Sequence, residues 1–213
     1  MERIRAFVAL NIPVAVAGKV AELQRELRRA AEEAQLKLAW VPPPNLHVTL
    51  KFLGEISQET SHAVRDRLVD GLAGRSSFWL DVAGVGVFPH AKRPRVLWVG
   101  VADQGELAAL AAEIDGWLDE LGFAREKRPF HGHLTLGRFK QGQSAFWEPW
   151  SEHAVERCQP TEVVLYRSTL RRRGAEYTAL ARFPLKAVAG KSRKRAEQQR
   201  GAAASSEGEQ DGD

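Results

Sequence analysis

The chain has 213 residues, 44% of them hydrophobic, with a formal net charge of +4 and an isoelectric point near 9.4. One cysteine, Cys158, excludes an intramolecular disulfide and any cysteine-built zinc site. No apolar run has the length of a membrane span and the N-terminus has no signal-peptide core, so the reading is of a soluble cytoplasmic protein without membrane association. The basic surplus suits a phosphate or nucleic-acid partner and equally suits a surface rich in lysine and arginine.

IRAFVAL (4–10) reads as a buried strand, followed by a helix over 14–34 in which Val16, Val20, Leu23 and Leu27 recur at helical spacing. VPPPN (41–45) is a stiff connector. LHVTLKFL (46–53) alternates as a strand, with Leu46, Val48, Leu50 and Phe52 on the core face and His47, Thr49 and Lys51 on the other; Gly54 ends it. A helix follows over 58–73, then two strands over 78–88 and 95–101, and an amphipathic helix over 104–121. HLTLGRF (133–139) repeats the earlier alternation, residues 143–157 are ambiguous, and 162–170 with 176–185 form a hairpin around RRRGA. Adjacent strands with about three helices predict an α+β fold with antiparallel sheets. A domain over 1–186 is expected to precede a disordered charged tail over 187–213, which lacks aromatic residues and aliphatic bulk.

His-apolar-Thr-Leu occurs twice, at 47–50 and 133–136. A given histidine begins that pattern by chance in roughly one case in several hundred, so two copies call for a shared purpose. On a strand, residues two apart share a face, so each copy offers an imidazole beside a hydroxyl. A zinc site would want a third ligand, and no acid follows either histidine at i+2 or i+4. A nucleophile–base pair would want a motif such as G-x-S-x-G, which is absent. An acid–base pair of imidazoles with two hydroxyls on an anion uses all four residues. Phosphoryl chemistry needs that set: a base on the incoming oxygen, an acid on the leaving oxygen, and donors to the non-bridging oxygens.

With these motifs in view, the chain resembles the two-histidine phosphoesterases, and within them the bacterial and archaeal RNA 2′,3′-cyclic phosphodiesterases, also called 2′-5′ RNA ligases. The resemblance covers most of residues 3–185 and rests on RAFVALNIP, NLHVTLKFLGE, RPFHGHLTLGR, VVLYRSTL and YTALARFPL. It implies two pseudo-symmetric lobes with antiparallel sheets flanking a central cleft and helices outside. It also implies metal-independent opening of RNA or nucleotide 2′,3′-cyclic phosphate ends to 2′-phosphates, with 2′-5′ ligation in some members and no cofactor. By motif, His47 would protonate the leaving 3′ oxygen, His133 would activate water, and Thr49 and Thr135 would hold the phosphate. Gly132 stands where the family often has proline. A monomer is expected. The same chemistry on 2′-5′ linked RNA or small cyclic nucleotides stays open, as does a non-catalytic module binding RNA ends.

Other residues divide between function and structure. Arg138 matches a recurrent family arginine, yet strict alternation turns it away from His133 unless Gly137 permits a bulge. Tyr166 and Arg167 are candidates for nucleoside or backbone contact. Lys51 is a weaker phosphate candidate and Phe52 reads as packing. His131, two before His133, favours a structural role. Arg171, Arg172 and Arg173 form a cationic hairpin tip, and KSRKR (191–195) could add salt-sensitive affinity for nucleic acid.

Overall fold

Val16, Val20, Leu23, Leu27 and Ala31 recur every three or four positions, so helix α1 (Val14–Glu33) buries one stripe and leaves charged residues outside. The same logic forms α2 (Gln58–Leu72), capped by Ser57 Oγ accepting from Thr60 N at 3.0 Å, and α3 (Glu106–Asp119). Among the described residues nine strands accompany them: β1 (Arg3–Asn11), β2 (Lys37–Trp40), β3 (His47–Ser57), β4 (Leu80–Phe88), β5 (Val96–Ala102), β6 (His133–Gln141), β7 (Ala154–Cys158), β8 (Glu162–Arg171) and β9 (Gly174–Pro184). This computed structural model describes residues 3–141, 145–171 and 174–189.

The strands form one antiparallel sheet in the order β7-β4-β5-β6-β3-β1-β8-β9, with β2 paired to β6. It divides into two lobes. The first holds β3, β1, β8 and β9, and the second holds β6, β5, β4, β7 and β2. They meet where β3 pairs with β6, Val48 opposite Leu134. Helices α2 and α3 pack on the first lobe, while α1 packs on β2 and β7 of the second. A single buried cluster runs through both lobes, from Val8 and Val48 to Leu97, Leu134 and Leu165. The architecture is the expected α+β one.

The differences from the expected elements are local. β2 falls where no strand was anticipated, on the edge of β6. The proline connector carries a short 3-10 turn, Pro43–Asn45. β3 does not stop at Gly54, which takes φ +70° and lets the strand run on to Ser57. The ambiguous stretch contains a 3-10 turn, Glu148–Trp150, and β7. Arg172, Arg173 and the KSRKR segment lie outside the described residues. The tail was expected from 187, but Val188 still exchanges hydrogen bonds with Gln159, at 3.0 and 2.7 Å. Residues 190–213 lie outside the described residues.

Candidate active site

The pairing of Val48 with Leu134 sets the site. These are the central residues of the two His-x-Thr motifs. In an antiparallel pair centred there, His47 lies toward Thr135 and Thr49 toward His133, with all four side chains on one face. The strands are therefore related by an approximate two-fold through the motif itself. His47, Thr49, His133 and Thr135 line one cleft of about 380 Å³, together with Arg5, Phe7, Phe52, Phe88, Arg138, Ser168 and Tyr177.

Each imidazole is held the same way. His47 Nδ1 lies 2.8 Å from the carbonyl of Asn45, and His133 Nδ1 lies 2.8 Å from that of His131. A carbonyl only accepts, so Nδ1 carries the hydrogen in both rings and Nε2 is left as the nitrogen that gains or loses a proton. A phenyl ring backs each histidine: Phe7 with ring centres 4.9 Å from His47, and Phe88 at 5.0 Å from His133. Burial pulls His47 down to about 4, opposed by its bond to Asn45 and reinforced by the nearby His133. His133 is also lowered, first by burial, against its bond to His131, with further contributions from His131 and Arg138. Burial raises Tyr177, whose ring meets His47 edge-on at 5.2 Å, while Arg138 and Arg5 lower it. With both imidazoles biased to the neutral form and Arg5 and Arg138 on the walls, the cleft is arranged to receive an anion.

Two matched bulges decide what else enters the cleft. Against β1, Ala9 pairs with Thr49 and Val8 with Lys51, so Leu50 is the extra residue. Against β5, Trp98 pairs with Thr135 and Leu97 with Gly137, so Leu136 is the extra residue. Each bulge follows its threonine and reverses the alternation beyond it. Three expectations change as a result. Phe52, read as packing, is 61% exposed and lines the cleft. Lys51, read as facing the phosphate, is buried; it pairs with Asp115 of α3 and donates to the carbonyl of Ala124 at 2.6 Å. Arg138 reaches the cleft through the bulge at Leu136, at the position matching Phe52. The carbonyl of Leu136 accepts from Gln24 Nε2 and from Val41 N, both at 2.9 Å, and the buried Gln24 also donates to Val41 O at 2.9 Å.

The remaining candidates separate. Tyr166 stacks on Phe7 at 5.3 Å and its hydroxyl donates to Asn11 Oδ1 at 3.1 Å, so it supports the floor behind His47 and does not line the cleft. Arg167 is not brought to the cleft at all: alternation along β8 puts it on the opposite face, in a smaller hollow with Arg65, His62 and Gln58 of α2. His131 is exposed beside Trp98, with ring centres 4.9 Å apart. Gly132 is tightly placed, since a Cβ there would lie 2.4 Å from the carbonyl oxygen of Val101. The sequence reading missed Arg5, Phe7, Phe88, Ser168 and Tyr177. They come from strands distant in sequence and carry no local motif. No group of three or more His, Cys, Asp or Glu side chains able to hold a metal occurs among the described residues.

A two-lobed α+β sheet with its duplicated His-x-Thr strands joined at a shared cleft is the architecture of a phosphoesterase. The chain belongs to the LigT-like phosphoesterase family, whose model matches it twice, over residues 10–98 and 99–177, once per motif. Relatives include the RNA 2′,3′-cyclic phosphodiesterase of Archaeoglobus fulgidus, 38% identical over 65% of this chain and 74% of its own. That of Methanothermobacter thermautotrophicus is 32% identical over 86% of this chain and 100% of its own. Among solved structures, TT0787 of Thermus thermophilus superposes with a TM-score of 0.72 at 27% identity, covering 87% of this chain and all of that one. The Escherichia coli LigT complex with 3′-AMP superposes with a TM-score of 0.67 at 28% identity, covering 86% and 99%.

Proposed function

We propose that the protein hydrolyses the 2′,3′-cyclic phosphate of RNA or nucleotide ends to a 2′-phosphomonoester, by acid–base catalysis between His47 and His133 and without a metal. The observation that carries this reading is the pairing of Val48 with Leu134, which brings the two motifs to one cleft. The relatives' activity on RNA 2′,3′-cyclic phosphates supports the choice of substrate.

In this reading the cyclic phosphate sits between the imidazoles. His133, neutral at Nε2, takes a proton from water as its oxygen bonds to phosphorus. The bond from phosphorus to the 3′ oxygen breaks, and His47, protonated at Nε2, supplies the proton that makes the 3′ hydroxyl. Thr49 and Thr135 donate to the non-bridging oxygens, where charge accumulates. Arg138 and Arg5 add positive charge at the rim. Burial makes His47 hold a proton poorly. The bound phosphate supplies the negative charge that raises it, so substrate binding itself prepares the acid. Phosphate contact is retained for Arg138, Tyr166 is assigned a supporting role, and Arg167 is given no part in the cleft. In the same geometry a 5′ hydroxyl in place of water would give 2′-5′ ligation.

The test is incubation of a 2′,3′-cyclic mononucleotide and an RNA with the same end in excess EDTA, with phosphorus NMR of the products. A 2′-phosphate formed at an undiminished rate is expected. A 3′-phosphate, or turnover abolished by EDTA and restored by a divalent cation, would contradict the reading.

A further inference from the structure

We infer that a hollow on the second lobe, one ring beyond His133, is a subsite for the nucleobase of a second nucleotide; this rests on the RNA-end reading above. Along β5 the residues Val96, Trp98 and Gly100 alternate onto one face. Val96 lines the catalytic cleft, and Trp98 and Gly100 line the hollow, so the two depressions lie on one continuous surface. His131 stands between them, with ring centres 4.9 Å from Trp98 and 6.1 Å from His133, and edge-on to Phe88 at 5.2 Å.

The lining specifies the ligand. The hollow measures about 470 Å³ and is walled by Trp98, His131, Phe130, Leu107 and Asp103. Among the described residues no lysine or arginine lines it, and the acidic group that does, Asp103, would repel a phosphate. A neutral planar ring fits this surface and a second phosphate does not. The floor is bare backbone at Gly84 and Gly100. The Trp98 indole lies on Gly86, where a Cβ would come within 2.4 Å of its Cζ2. Trp98 Nε1 finds no acceptor among the described residues. Aromatic faces of this kind hold bases without regard to sequence, which predicts a preference for RNA length and little for base identity.

Calorimetric titration with reaction products tests this. The probes are a 2′-phosphorylated mononucleotide and a dinucleotide ending in the same residue. The unmodified protein is expected to bind the dinucleotide more tightly, by on the order of 5- to 150-fold, the usual worth of one stacked base. His131→Ala should bring that ratio toward one and His131→Phe, which keeps a planar ring, should restore it. A merely structural role for His131 would not produce that pattern. The backbone carbonyl that holds His133 is present in both variants. An unmodified ratio near one, or a ratio unaffected by His131→Ala, overturns the subsite. Failure of the hydrolase reading is separate: it would appear as absent turnover of cyclic ends while the binding ratio still responds to His131.

Discussion

His47 and His133 share one kind of tether and differ in how deeply burial depresses their basicity. The depression is larger for His47, at about 4. kcat/KM reports ionisations of the free enzyme and kcat those of the complex. On the proposed mechanism a phosphate between the rings raises both imidazoles, so the basic limb of the kcat profile is expected at higher pH than that of kcat/KM. Coincident limbs would show that the bound phosphate does not act on the pair. The same depression has a consequence for stability. In the unfolded chain His47 protonates near its ordinary 6.5, so between that value and about 4 the unfolded state binds more protons than the folded one. Stability contributed by neutral His47 is thus present above pH 6.5 and lost as pH falls toward 4. Thermal unfolding should show Tm falling over this window, and His47→Gln should flatten the fall. An identical pH dependence in the variant would contradict the assignment.

At the scale of elements, two bulges do what alternation alone would not. They present Phe52 and Arg138 to the cleft from matching positions and turn Lys51 back into the core. Each is fixed by a buried polar side chain, Gln24 on the Leu136 carbonyl and Lys51 on Asp115 and the Ala124 carbonyl. Gln24→Leu leaves the Val41 carbonyl without this donor and should cost about 1–3 kcal/mol. Loosening the strand that carries His133 should also lower kcat, by up to about 100-fold for a displacement near 1 Å. Lys51→Met removes the ion-pair partner of Asp115, which keeps the Glu126 amide, and should cost up to about 3–5 kcal/mol. Urea unfolding beside steady-state kinetics reads both effects. Parental kcat and stability in Gln24→Leu would remove the bulge from the account.

These bulges also mark the limit of what the sequence made legible. The helices, most strands and the four motif residues follow from periodicity and from a repeated pattern, both of which are local signals. Phe52 and Lys51 were assigned to the wrong faces because a strict period of two cannot anticipate one extra residue in a strand. Arg138 was conditional on such a bulge, and the bulge exists. Arg167 fell to plain alternation on β8, while Phe7, Ser168 and Tyr177 reach the cleft only through the order of strands in the sheet. β2 is four residues on an edge and gains its definition from β6 alone.

For the molecule as a whole, duplication explains both the fold and the site. The family model matches each half of the chain, and the halves interleave in the sheet: β3 pairs with β6 between the motifs, and β1 with β8 and β4 with β7 beyond them. No helix among the described residues is long and apolar enough to cross a membrane. The central claim is that two imidazoles, one from each half, act on a single phosphate as one unit. It is tested most directly by a mutant cycle on a 2′,3′-cyclic substrate with His47→Ala, His133→Ala and the pair. Groups that act on one transition state are strongly non-additive. Each single change should lower kcat by about 10²–10⁴-fold, and the double change by little more than the worse of the two. A double variant that turns over at the parental rate, or losses that simply multiply, would contradict it.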